Sequence, residues 1–526
     1  MNATFLAYYV ANRSMETAQA SINTTGNNIS NINTEGYTRQ RVDIVSMYSS
    51  ATTRYADKSL KTGLGSKATG VGQLRDPYLD ARYRAQNSET SKYSNIADGL
   101  SNLEDVFDEA TTQALQGELS DFITDLQSLS QSPTSADIEQ VVRSSAQKVT
   151  SIINMYANEI DQVKTQQVED LNNTVNDDVN VVLENIAQLS KQIREAQVYG
   201  DNANELKDQR NLFVDELSGY ANIKVTTSPQ EVTDNLTIEN YEISIVDDSG
   251  NKTYLVYNDL FNQLSVSENA TSGEMEVFVS NDIATDPNAS TEAQAMINDP
   301  ADPINDEILE GSMGGMLEVI NGKGGFATGT ESNFRGIAYY QEAMNIFSQT
   351  FADVFNNLNG LGDPDAAPLF TTEDGTSTSG ITAANIQVSD AWATDSSFIV
   401  TTDGTSTGQG QADNVLRMIA AMSDEQTFLE SDGTTTFFGG SFHEYMNGIL
   451  GELSTDVELN SDFLDTADTV LTTIFTSRES VAGVSLNEEG TYLMAFQKCY
   501  NAAARFFTII DENVDKIING MGRAGL

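Results

Sequence analysis

The residues able to do chemistry in this chain are few and isolated. His443 is the single histidine among 526 residues and stands in Ser441-Phe442-His443-Glu444-Tyr445. Histidine beside glutamate and tyrosine is acid–base material. Nucleophilic catalysis also needs an activated serine or cysteine within reach of its base, and no such pattern and no second histidine is present. An ordinary helix position is therefore the expectation for His443, and no His-Glu-x-x-His zinc motif occurs. Asp247-Asp248-Ser249-Gly250-Asn251 offers the carboxylates of a calcium loop but lacks the liganding glutamate of an EF-hand, so it reads as a hairpin turn. Glu310-Gly311-Ser312-Met313-Gly314-Gly315-Met316-Leu317-Glu318 has the glycines of a phosphate loop without the lysine that must follow. Cys499 is the only cysteine, which rules out an intramolecular disulfide. The expectation is no catalytic residue, no cofactor and no metal.

Charge excludes a second class. The chain carries 28 basic and 77 acidic side chains, net -49. Residues 1–90 and 464–526 together hold 15 of each sign, so residues 91–463 hold 13 basic against 62 acidic ones. That acidic middle is self-repelling and unsuited to nucleic acid, whose phosphates require a basic surface. The neutral ends are the parts able to pack against other copies. No apolar run approaches 18 residues, so no membrane insertion is expected. The opening residues, MNATFLAYYVANRSMETAQA, lack the basic start, apolar core and cleavage site of a standard secretory signal.

With chemistry set aside, periodicity organises the chain. Leu486, Glu489, Leu493, Phe496, Tyr500, Ala503, Phe507, Ile510, Val514 and Ile517 follow alternating steps of three and four, a heptad seam with one charged member. A helix of that length, about 50 Å at ~1.5 Å per residue, needs a partner of matching period. The opposite end supplies one: Tyr8, Ala11, Met15, Ala18, Ile22, Thr25, Ile29 and Ile32. The ends are expected to pair as a coiled-coil stem that carries everything between them. Ser485, with Glu488 three residues on, predicts a capping box at the start of the last helix.

Between the ends, the first helix breaks at Asn33-Thr34-Glu35-Gly36-Tyr37, where Gly36 suits a positive φ. Helical periods run through residues 91–221, with a stop at Ser132-Pro133-Thr134, a cap at Ser135 or Asp137, and a break at Gly200-Asp201-Asn202. Arg210 is expected to pair locally with Asp208, Asp215 or Glu216. Residues 222–330 alternate like half-buried strands, with a rigid acidic loop at Asp299–Pro303. Residues 331–363 form a returning helix, and 364–463 a variable β-rich or mixed lobe. The predicted fold is multidomain α plus β: an N-terminal stem helix and extended layer (1–90), a helical middle, two β-rich lobes and a C-terminal stem helix (464–526).

Asn27-Asn28-Ile29-Ser30-Asn31 followed by Thr34-Glu35-Gly36-Tyr37-Thr38-Arg39-Gln40 resembles the N-terminal signature of bacterial flagellar rod, hook and hook-associated proteins. That family usually has alanine where Gly26 and Ser30 stand. Asp208-Gln209-Arg210 and Ser480–Glu489 look like its hook-associated branch, and the Gly-rich turn before residue 318 has a counterpart there. The resemblance implies an extracellular structural subunit at the hook–filament junction, exported through the flagellum's own type III route. It implies a homo-oligomeric ring, hook protein and hook-associated protein 3 as neighbours, and an export chaperone on the C-terminal helix. The assembly surface would comprise the two seams with Asn27, Asn28, Asn31, Gly36 and Tyr37. A hook or distal rod protein is the alternative within the family; a secreted coiled-coil adhesin or tail fibre is the alternative outside it.

Overall fold

The computed structural model describes residues 3–520 except 48–62, 110–111, 234–235, 248–249, 271, 281–302, 305–308, 329–331, 362–366, 396, 405–410 and 431–432. The centre of the Asp247–Asn251 turn, and the acidic loop up to Asp302, lie outside these residues. The molecule is mainly helical, with several small sheets.

Helix α1 (Ala3–Ser30) leads into an antiparallel ribbon, β1 (Gln40–Ser46) and β2 (Ser66–Gln73), that lies along it. Helices α2 (Pro77–Glu109), α3 (Thr112–Gln131), α4 (Ala136–Asn173), α5 (Asn180–Val198) and α6 (Asn204–Tyr220) follow, with a π-helical turn at Thr174–Val179 joining α4 to α5. Ser135 caps α4, its side chain accepting from the Ile138 N–H. Strands β3 (Lys224–Thr233), β4 (Leu236–Val246), β5 (Lys252–Tyr257) and β6 (Leu260–Phe261) form one antiparallel sheet in that order. Pro229 lies in the edge strand β3, where a missing N–H costs no ladder bond. Strands β7 (Gln263–Glu268), β8 (Met275–Ser280) and β9 (Pro303–Ile304) form a second sheet.

Helices α7 (Gly311–Asn321) and α8 (Ile337–Gly360) return the chain to the helical body. Beyond them lie β10 (Phe370–Thr371), β11 (Gln387–Val388), the short α9 (Asp390–Thr394), α10 (Asp413–Ala421), β12 (Gln426–Leu429) and β13 (Thr436–Gly440). Among the described residues there, two two-stranded ribbons are present. The described part of 364–440 is thus loop-rich with little sheet, because its Gly-, Ser- and Asp-rich segments place hydrogen bonds in turns. Helix α11 (Phe442–Ala482) runs unbroken across residue 463, and α12 (Leu486–Asp515) closes the chain.

Two apolar cores are separate in space. One is aromatic and gathers the end of α2, α3, the first half of α4, α8 and the start of α11, including Phe122, Tyr340, Phe351 and Tyr445. The other joins the end of α4, α5, α6, the β3–β9 sheets and α7. Helix α4 belongs to both, so it ties the β-lobe to the body. The Gly-rich run is explained by packing: α7 lies so close to α2 that a Cβ on Gly315 would sit 2.6 Å from the Lys92 carbonyl oxygen.

The capping box expected at Ser485–Glu488 is absent. Ser485 is the N-cap of α12, but its side chain makes no capping bond. Glu488 is drawn away to Arg39. The box forms instead at Ser441–Glu444, ahead of α11. His443 lies exposed in the first turn of that helix, and Cys499 is exposed on α12.

Candidate functional site

Helices α1 and α12 pack lengthwise against each other. The Tyr8 and Phe507 rings meet at 4.2 Å between centroids, and the Tyr8 hydroxyl donates to Asp511 at 3.3 Å. On α12 the large side chains shielded from solvent are Glu489, Leu493, Phe496, Tyr500, Phe507, Ile510 and Val514, with Ala503 on the same stripe. Leu486 and Ile517, the two outermost members of that series, are exposed at 57% and 52%. On α1 the pattern is broader. Ala11 and Ala18 are buried, Met15, Ile22 and Ile29 are half-buried, and Ile32 lies exposed beyond the helix end. Thr17, Ser21, Thr25 and Asn28 are buried as well, because α1 is covered by α12 on one side and by β1–β2 on the other.

At the base of this pair, three distant segments meet. Asn28 is 1% exposed; its amide donates to the Gln40 carbonyl and to Glu489, both at 3.0 Å. Its carbonyl accepts from the Gln40 N–H at 3.0 Å and from the Tyr37 hydroxyl at 2.9 Å. Arg39 donates to Glu489 at 2.8 Å and to Glu488 at 2.9 Å, and its N–H donates to the Ala482 carbonyl. The Thr38 N–H and Gln73 both donate to Asp208, at 3.2 and 2.7 Å. Gln40 donates to Glu205 at 3.2 Å, and Asn27 reaches the same carboxylate at 3.5 Å. Asn31 folds back on Asn27. Gly36 has φ +73°, the turn conformation its type allows, and sits over Leu212 of α6. Residues 28–40, 204–208 and 482–489 thus form one polar knot. Its charged and amide side chains tie the first helix and its turn to α6 and to the start of α12.

A second network lies beside it. Arg75 and Asp80 pair through two bonds, Arg478 pairs with Asp80 and Asp215, and Arg84 pairs with Asp215. These hold α11 on α2 and α6. The pairs expected for Arg210 do not form. Arg210 bonds Glu239 on β4 and stacks over the Tyr241 ring at 3.5 Å. Asp208 and Asp215 point to other elements, since positions two and five residues apart do not share a helix face.

Burial pushes the Asp208 carboxyl up to about 6 from an ordinary 3.8, against the Thr38 hydrogen bonds and the nearby Arg75 guanidinium, with Glu205 adding to the rise. A raised carboxyl pKa stabilises the fold below the unfolded value, and that contribution is lost as pH rises through the folded value. From pH 4 to 7, wild type should therefore lose about 2 kcal/mol relative to Asp208→Asn. Paired denaturant titrations at both pH values check this; a pH-independent difference contradicts it.

Two of the knot's three segments, 28–38 and 204–208, lie within regions that family models match. The family model for the "Flagella basal body rod protein" matches residues 9–38, which span α1 and its turn. The model for the "Flagellar hook-associated protein FlgK helical domain" matches residues 100–367, just over half of the chain. The chain belongs to the FlgK family of flagellar hook-associated proteins. As a FlgK-family protein it is a structural component of the flagellum and not an enzyme. It is 29% identical to flagellar hook-associated protein 1 of Bacillus subtilis over 536 positions, which cover both chains in full. It is 27% identical to that of Escherichia coli over 231 residues, 43% of this chain and 40% of the relative. The FlgK hook junction protein of Burkholderia pseudomallei shares the fold, with a TM-score of 0.54 at 13% identity, covering 76% of this chain and all of that one. Among the described residues, no helix of this FlgK-family chain is long and apolar enough to cross a membrane.

Sequence alone named Asn28, Asn31 and Tyr37 but gave Glu489 no partner. The signal for it was available. A lone carboxylate on an apolar seam needs a buried cation, and Arg39 lies in the quoted N-terminal signature.

Proposed function

We infer that this chain is the subunit joining the flagellar hook to the filament, assembled as a ring through its paired ends. The observation that carries this reading is the α1–α12 stem together with what it leaves uncovered. Tyr492, Met494, Phe506 and Ile509 are 44–58% exposed along α12, Ile518 just beyond its end is 67% exposed, and Ile44 and Val45 are about half exposed on β1. Large apolar side chains left exposed by the described residues are suited to neighbouring copies. In this reading the seams and the Asn28 knot set the shape of the stem, and these exposed apolar side chains make the contacts between subunits. Hook protein lies on one side of the ring and hook-associated protein 3 on the other. Before export a chaperone covers the apolar seam of α12, a helix-in-groove mode.

Deleting the gene in the native host tests the assignment. Electron microscopy should find hooks of normal length without filaments, with monomeric filament protein in the medium. Missing hooks would instead make the chain a hook or rod protein.

A further inference from the structure

Basic side chains are scarce in this protein, 28 against 77 acidic ones, yet five of them line one cleft. The cleft lies between the start of α2, helix α6 and the β3–β4 edge, with a volume of about 750 Å³. Arg75, Arg84, Lys207, Arg210 and Lys224 line it. Its own acids are Asp80 and Glu239. Each carboxylate here serves two cations: Asp80 serves Arg75 and Arg478, Asp215 serves Arg84 and Arg478, and Glu239 serves Lys207 and Arg210. Lys224 stands exposed on the rim. Adding Arg478 and Asp215 behind the cleft gives six cations against three carboxylates, and counting Asp208, bonded to the lining residue Gln73, and its neighbour Glu205 still leaves an excess of one positive charge.

A concave, low-dielectric wall concentrates such an excess. Ile223, Val225 and the Tyr241 ring supply that wall. Guanidinium forks and ammonium groups around a concavity are the donor set for oxyanions. The volume falls within the roughly 300–1,000 Å³ of small-molecule sites. Elsewhere the acidic middle of the chain repels anions.

We propose that the cleft between α2, α6 and the β3–β4 edge binds a small multivalent oxyanion of the phosphate or polyphosphate class. Such an ion bridges the helical body and the β-lobe, and its binding does not depend on the assembly role. If the cations serve only as mortar between these elements, no anion binds.

The test is calorimetric titration of the full chain with pyrophosphate at pH 7.5 and low salt, against sodium chloride of matched ionic strength. Wild type should give saturable one-to-one binding that chloride does not reproduce. The Lys207→Gln/Lys224→Gln variant should bind about tenfold more weakly. Glu239 keeps Arg210 in that variant, so the ion pair holding β4 to α6 survives. Lys148→Gln, an exposed position on α4, should bind as wild type does. If the double variant loses the wild-type circular dichroism, Lys224→Gln alone serves, with about threefold weaker binding expected. The proposal is overturned by the absence of saturable heat in wild type, or by equal affinity in the cleft variants.

Discussion

Glu489→Ala should weaken the docking of α1 and α12 onto the body by about 3–5 kcal/mol, the cost of removing one partner from a buried charge pair. Glu489 is 2% exposed and holds both Arg39 and Asn28. Its loss leaves the Arg39 guanidinium with Glu488 alone and one amide proton of Asn28 without an acceptor. Because Arg39 and Asn28 also hold Gln40 and the Ala482 carbonyl, damage should spread to the β1–β2 ribbon. Glu488→Ala is the internal comparison. Its side chain is 57% exposed, so the same truncation should cost under about 1 kcal/mol. Amide hydrogen exchange read separately on α12 and on the α8 core distinguishes the two variants. Equal protection of α12 in both would remove the knot from the account.

Gly311→Ala should be strongly damaging for a single methyl group, at about 2–5 kcal/mol from left-handed backbone strain and overpacking. Gly311 has φ +60°, and a Cβ there would lie 2.4 Å from the carbonyl carbon and oxygen of Tyr220 and 2.6 Å from the Ala221 nitrogen. Those atoms are backbone at the end of α6 and cannot swing aside. The loss should appear in the core that joins α6, α7 and the β-lobe. Gly451→Ala gives the opposite sign. It lies in the middle of α11 with nothing within 4 Å of the added methyl, so it should stabilise by about 0.5–1 kcal/mol. Denaturant midpoints of both variants check the pair, and a neutral Gly311→Ala would mean that α7 does not pack as described.

These two positions mark what sequence can and cannot reveal here. The three–four spacing on α12 identified its shielded stripe because one partner covers one face, the situation a heptad describes. The same count on α1 selected Ile22, Ile29 and Ile32 and overlooked Thr17 and Ser21, since a polar face buried by a ribbon leaves no apolar period. The Gly-rich run before residue 318 was legible as a turn into a helix, but the closeness of α7 to α2 that requires glycine is a tertiary fact. The meeting of residues 28–40, 204–208 and 482–489 depends on loops that bring together segments more than 400 residues apart, which no local pattern encodes. Helix α11 was legible only at its ends, because its exposed Thr- and Asp-rich middle weakens the apolar period that would have joined them.

Everything proposed for the assembled protein rests on the two chain ends acting as one stem. The most direct test introduces Ile510→Asp into the chromosomal gene. Ile510 is 6% exposed between α12 and α1, and a buried unpaired carboxylate there costs several kcal/mol while leaving both body cores untouched. The account predicts secreted protein with a protease-resistant body, intact hooks and no attached filaments in electron micrographs. Normal filaments on cells carrying this substitution would contradict it.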